Sequence, residues 1–210
     1  MTSYRSVTRL RTGTVPRLAV RRLLGARVSC AVLAIAFCVV PSVVHAQNKV
    51  SAYDVESAYL FNFGKFLRFA PSDAEIERHS FDICIVGEDT LGATLDQLTV
   101  NEQLDSKPVR VVRLKAAAEA RNCAIAYFSA SEGSRLESDL EAVRGHAVLT
   151  VSDASDFLKR GGMIQLIVAD NHVRFAVNLD AVHSAQLGLS SELLRVAVSV
   201  NGEPPTGVRP

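Results

Sequence analysis

The chain of 210 residues has no tryptophan, four cysteines and an aromatic content of 6%. Its first 46 residues hold no acidic side chain at all. Arg5, Arg9, Arg11, Arg17, Arg21, Arg22 and Arg27 therefore stand without a nearby counter-charge, directly ahead of the apolar run VSCAVLAIAFCVV from Val28 to Val40. A basic stretch followed by a short apolar run has the layout of a secretion signal. At about 13 residues the run is well short of the roughly 20 that a bilayer-spanning helix needs, so a retained anchor is the weaker reading. Pro41 breaks it, and Val44-His45-Ala46 offers a cleavage site, so residues 1–46 are expected to be a cleaved leader and the protein periplasmic. Bulky Phe37 before Cys38, and Arg27 close ahead of Cys30, argue against lipidation. Arg21-Arg22 leaves the export route open between two pathways.

Removing the leader takes away seven of 23 basic residues and none of the 22 acidic ones, so the formal charge moves from +1 to 16 − 22 = −6. A mature chain this acidic has no electrostatic footprint for nucleic acid. Residues 47–200 are enough for one domain with its own core, and residues 201–210, beginning NGEPPTG, are expected to be a disordered tail.

Only Cys84 and Cys123 lie outside the leader. In an oxidising compartment such an isolated pair reads as a disulfide. Closing a loop of about 40 residues would stabilise the fold by on the order of 4 kcal/mol in the chain-entropy picture. Two buried free thiols are the alternative. A metal site is disfavoured because neither cysteine has a second ligand at close spacing.

Signatures of catalysis and nucleotide binding are also missing. The turn Gly87-Glu88-Asp89-Thr90-Leu91-Gly92 lacks the glycine pattern of a phosphate loop and puts two carboxylates where phosphate would sit. It reads as a strand release at Gly87 with a helix cap at Asp89 or Thr90. His79, His146, His172 and His183 have no ligand spacing, and no serine sits in a nucleophile elbow. Ser152-Asp153 is the best-placed pair for catalysis, at the end of a strand, but capping by Asp153 and Ser155 explains it as well. No catalytic residue, cofactor or metal is expected.

Alternation of strand and helix patterns is what the chain does have. Residues 81–87, 107–114, 123–130 and 147–153 read as strands, with helical stretches at 89–98, 116–122 and 134–143 between them. The third strand has no polar face, so both of its faces must be covered. MIQLIVADNHVRFAVNLD reads as a hairpin turning at Asp170-Asn171, where Asn171 would supply a positive φ. A last helix, ELLRVAVSV, follows a cap at Ser190 or Ser191. The pattern predicts an α/β fold of three layers, a mostly parallel sheet flanked by helices with a C-terminal antiparallel hairpin. If the first strands run in the order 2-1-3, Cys84 and Cys123 come within bridging reach.

AYLFNFGKFLRF, from Ala58 to Phe69, packs four of the nine phenylalanines into one segment. Residues 51–69 read as a helix with Ala52, Val55, Tyr59, Phe63, Phe66 and Leu67 in one stripe. Asn62 falls inside that stripe, where it would need hydrogen bonds to be buried. Phe61 falls opposite, beside Lys65 and Arg68, as an exposed anchor for a partner or as filler of a second contact.

These segments, AYLFNFGKFLRF, FDICIVGEDTLG and the stretch from LTVSDASDFLKRGGMI through VRFAVNLD to SSELLRVA, resemble the YfiR family of small periplasmic proteins across residues 52–198. The resemblance implies an α/β, dimer-forming repressor. Such a protein binds the periplasmic sensor portion of a membrane-embedded diguanylate cyclase and keeps cyclic di-GMP, and with it biofilm, low. The family's disulfide matches Cys84 with Cys123, whereas a second bridge of some members has no counterpart. Asn62, Phe63, Gly162 and Asn178 match its strongest motifs. Phe61, Lys65 and Arg68, with Arg174 on the hairpin, are the expected contact surface. The rival readings are a periplasmic small-molecule sensor using the crevice at the strand ends, and a hydrolase acting through Ser152 or His146.

Overall fold

The computed structural model describes residues 51–71, 78–169 and 172–201. The leader and its cleavage site, the Asp170-Asn171 turn and residues 202–210 lie outside the described residues.

The first element is helix α1 (Ala52–Phe66), opened by a reciprocal cap in which Ser51 and Asp54 each satisfy the other's backbone N–H. It ends earlier than the apolar pattern implied, because Leu67, Arg68 and Phe69 go extended as β1 (Leu67–Phe69) ahead of Pro71. Then come β2 (Phe81–Val86), α2 (Gly92–Thr99), β3 (Gln103–Leu104) and β4 (Lys107–Leu114). A 3-10 turn (Ala117–Asn122) leads into β5 (Ile125–Phe128), and α3 (Leu136–Val143) into β6 (Leu149–Ser152). The last part comprises β7 (Ile164–Ala169), β8 (His172–Asn178), α4 (Leu179–Ser184), β9 (Leu187–Leu189), α5 (Ser191–Val196) and β10 (Ser199–Asn201).

Eight strands form one sheet in the order β10-β8-β7-β6-β5-β2-β4-β3. From β4 through β2, β5 and β6 to β7 the pairs are parallel, and β7–β8 is the antiparallel hairpin. Thus the order 2-1-3 holds, and the C-terminal residues expected to prolong the last helix instead form a parallel edge strand on β8. The pair β1–β9 is a second, small sheet.

Alternation on the central strands sorts two cores. Ile83, Ile85, Ile125, Tyr127, Leu149 and Val151 face α1, α2, α4 and α5. Cys84, Val86, Ala126 and Phe128 face α3 and the 3-10 turn, with Phe157 beneath them. Because β5 is buried on both faces, the sheet forms the middle of three layers.

The buried face of α1 differs from the apolar stripe by roughly a quarter turn. It consists of Glu56, Ser57, Leu60, Phe61, Phe63 and Gly64. Close approach decides this: a Cβ on Gly64 would lie 2.6 Å from Leu104 Cδ1 and 3.0 Å from the Phe81 ring. Ser57 is accommodated by donating its hydroxyl to the carbonyl of Tyr53.

Candidate functional site

Between β2 and β5 the chain switches from building the sheet in one direction to building it in the other, and the crevice at such a switch is where open α/β sheets hold ligands. Here the protein fills that crevice itself. Gly87, at φ +93°, packs so tightly that a Cβ would stand 2.8 Å from Glu132 Cγ and 2.9 Å from Ser131 Oγ. Glu88 N–H donates to Ser131 Oγ at 3.1 Å, and Ala130 N–H donates to Asp153 Oδ1 at 3.0 Å. Glu132, 6% exposed, accepts from Arg135. Asp89 closes its own loop by accepting from Leu91 and Gly92 N–H, and Arg113 reaches from β4 to hold both Asp89 and Asp96. The two loop carboxylates thus face no phosphate cradle: Asp89 is spoken for and Glu88 is exposed.

Behind this closed mouth lies a second polar group that is not satisfied. Glu56 on α1 is 1% exposed and Tyr127 on β5 is fully buried. Glu56 Oε2 has no hydrogen-bond partner among the described residues, and the Tyr127 hydroxyl has only the Thr90 hydroxyl and the Asp153 carboxylate to interact with. Burial pushes the Glu56 carboxyl up to about 7, with the charge of Asp153 adding to the effect. Burial likewise raises the Tyr127 phenol, and again Asp153 contributes. Sequence patterns gave no sign of this group, because Tyr127 sits in an all-apolar strand and the stripe was read from its apolar members, although Glu56 falls between Phe63 and Leu67 on it.

Ser152 is fully buried, with its Oγ accepting from Ala154 N–H at 2.9 Å, and is a turn former rather than an accessible nucleophile. His146 precedes β6 at its other end, with Nδ1 3.1 Å from the carbonyl of Arg144. The two alternatives considered for hydrolysis thus lie toward opposite ends of β6.

The four residues expected as a contact surface do not share one face. Phe61 is 7% exposed, a core residue instead of an exposed anchor, and Lys65 Nζ stands 4.4 Å above its ring. Arg68 is exposed on β1 and donates to the carbonyls of Lys65 and Leu67. Arg174 is exposed on β8, but Val173, Phe175 and Val177 are the residues of that strand that face α1, so Arg174 projects from the opposite side of the sheet. Asn62 is half-buried and makes no hydrogen bond through its amide among the described residues, so it is not the buried pin the stripe implied. Phe63 is fully buried, edge-on to Phe175 at 5.1 Å between centroids. Gly162 lies against Phe157, and Asn178 caps α4 by accepting from Ala181 N–H at 3.1 Å. Cys84 and Cys123 are joined in a disulfide, with Cα atoms 6.1 Å apart.

An open cleft of about 290 Å³ lies between α3 and α4, floored by Leu140, Val143, Met163 and Ala185 and rimmed by Arg144, His146 and Arg160. It lies by the beginnings of β6 and β7, away from the carboxyl ends of the strands. Its arginines are engaged, Arg144 with Glu141 and Arg160 with the carbonyl of Gly133. Among the described residues no group of three or more metal-ligating side chains converges, and no helix is long and apolar enough to cross a membrane.

A family profile described as YfiR/HmsC-like matches residues 53–198. No curated protein matches the chain. Among solved structures, a conserved domain protein from Vibrio cholerae O1 biovar El Tor strain N16961 is similar with a TM-score of 0.49 and 11% identity, the likeness covering 72% of this chain and 60% of that one.

Proposed function

The chain belongs to the YfiR/HmsC-like family, and from that membership we propose that it binds the periplasmic sensor region of a membrane-bound diguanylate cyclase and represses it. The family is one of periplasmic regulators rather than of enzymes. Membership over residues 53–198 is the observation that carries the reading, because the match takes in almost every element of the domain. A crevice closed by the protein's own side chains and a disulfide-tied α/β body suit a role in occupying another molecule's surface. The proposal includes removal of residues 1–46 on export and a homodimer as the resting form. Lys65 and Arg68, exposed where α1 runs into β1, are its contact residues on this side of the sheet.

Deleting the gene is expected to raise cellular cyclic di-GMP, and tagged mature protein is expected to retain a diguanylate cyclase from solubilised membranes. An unchanged messenger level in the deletion strain sinks the reading. The cleft of about 290 Å³ favours one second reading, a periplasmic sensor of a small metabolite. A thermal-shift screen at millimolar metabolite concentrations separates the two, since a sensor gains stability from its ligand.

A further inference from the structure

Glu56 is buried where carboxylates are rarely left alone. The site gathers α1 through Glu56, β5 through Tyr127, the loop after β2 through Thr90 and the residue after β6 through Asp153. Glu56 brings an oxygen with no hydrogen-bond partner among the described residues, while the Tyr127 hydroxyl has the Thr90 hydroxyl and Asp153 beside it. A buried carboxylate without a donor or counter-ion is strongly disfavoured, whereas the neutral acid tolerates burial and can itself donate.

No cation among the described residues relieves it. Arg113 is held by Asp89 and Asp96, and Arg135 by Glu132. On α1 itself, Asp54 is occupied by Ser51 and Thr94. The other elements packed on α1 bring Asp96 from α2, His172 and Arg174 from β8, and Glu192 and Arg195 from α5. None of these acts on Glu56, for which Asp153 is the one charge that counts, and that charge is of the same sign.

The two halves of α1 are unequally anchored. Its C-terminal half carries Leu60, Phe63 and, just beyond, Leu67, all fully buried. Its first two turns hold no fully buried large apolar side chain: Ala52 and Val55 are half-buried and Tyr53 is 46% exposed, and their attachments are buried Ser57 and the hydrogen bond from the Thr94 hydroxyl to Asp54. Glu56 lies where the weakly held part meets the strand ends.

We propose that Glu56 is a proton-gated latch: as the neutral acid it keeps the first two turns of α1 docked over Tyr127 and Thr90, and on losing its proton to solvent it releases them. The released carboxylate gains hydration, and the bared hydroxyls and Asp153 open to water. The aromatic half of the helix stays seated, so the domain remains folded while its N-terminal edge opens. The latch stands on the geometry around Glu56 and holds whether or not the cyclase is the partner.

Hydrogen exchange across a pH series from about 5 to about 8.5, corrected for intrinsic chemistry, tests it on the purified protein. Opening of the amides from Val55 to Leu60, measured against those of β5, is expected to rise by on the order of 100-fold between about pH 5 and neutrality and to level off above it. Glu56→Gln is expected to remove the dependence and keep the turns closed. Asp153→Asn is expected to make the rise level off at lower pH. Identical profiles for the wild type and Glu56→Gln overturn the latch. So does restored protection at about pH 8 on adding calcium or potassium ions to the wild type alone, which would make the site a cation site. If Glu56→Gln fails to fold, carbon-13 NMR of the wild-type carboxyl decides: a Glu56 midpoint near neutrality, where opening levels off, supports the latch, and an ordinary one near 4.5 overturns it.

Discussion

Gly162 lies so close to Phe157 that a Cβ there would stand 2.2 Å from the ring's Cε1 and 2.3 Å from its Cδ1. Phe157 is fully buried under the sheet and cannot swing out to make room. The preceding glycine is held for a different reason: Gly161 has φ +95° with open space around a Cβ.

The two glycines therefore predict different losses. Gly162→Ala forces an overlap in the core and is expected to cost about 1–3 kcal/mol or more. Gly161→Ala pays only for a backbone conformation that L side chains rarely adopt, on the order of 1 kcal/mol. Pairing Gly162→Ala with Phe157→Leu should recover part of the loss, while Gly161→Ala should be indifferent to Phe157→Leu. Denaturant midpoints of the four variants check this. Equal costs for the two alanines would rule out the ring contact.

Alternation and turn chemistry carried the sheet: β2, β4, β5, β6 and the β7–β8 hairpin could be read from their residues, as could the adjacency that lets Cys84 reach Cys123. Elements of three residues could not. β1 and β9 have no pattern of their own, and each is a strand only because the other pairs with it, Leu67 opposite Leu189 and Phe69 opposite Leu187. The same holds for β10, whose residues look helical until β8 offers an edge. The face of α1 was misread because hydrophobic periodicity weighs side chains, whereas Gly64 wins its place by having none. The unsatisfied group at Glu56 was invisible for a related reason, since its members come from four separate segments and only the folded sheet assembles them.

The disulfide closes a separation of 39 residues between two buried sulfurs. Alkylating unreduced mature protein is expected to add no label at Cys84 or Cys123. Replacing both by alanine is expected to cost on the order of 4 kcal/mol in the chain-entropy picture, with some offset if the reduced chain stays compact. Intact-mass analysis and urea unfolding provide the two readouts. Two adducts before reduction would contradict the bond.

Acid acts on the Arg113 clamp in the direction opposite to the one expected at Glu56. Burial by itself would raise Asp89, but the Gly92 N–H and Arg113 more than compensate and hold it below the ordinary 3.8. A carboxyl lowered in the folded state stabilises above its unfolded value and loses that contribution as pH falls through the folded one. Arg113→Met is expected to cost roughly 1–2 kcal/mol at neutral pH, given the partial exposure of the pair, and to cost less below about pH 3. Thermal unfolding of both proteins from about pH 7 to about pH 2 checks the convergence. A constant gap would show that the clamp is not what Arg113 contributes.

Phe61 and Lys65 are neighbours on one helix with opposite fates, and exchanging each for alanine separates a core role from a surface one. Phe61 is 7% exposed and belongs to the core that includes Phe81 and Leu104. Its removal leaves a cavity and is expected to cost about 3–5 kcal/mol. Lys65 is exposed and covers the ring as a cation above an aromatic face, so Lys65→Ala is expected to cost no more than about 1 kcal/mol. Phe61→Leu keeps most of the volume and should retain most of the stability. If Phe61→Ala instead left unfolding unchanged while weakening capture of a membrane partner, the ring would belong to an interface. The packing of α1 against β2 described here would then be wrong at its centre.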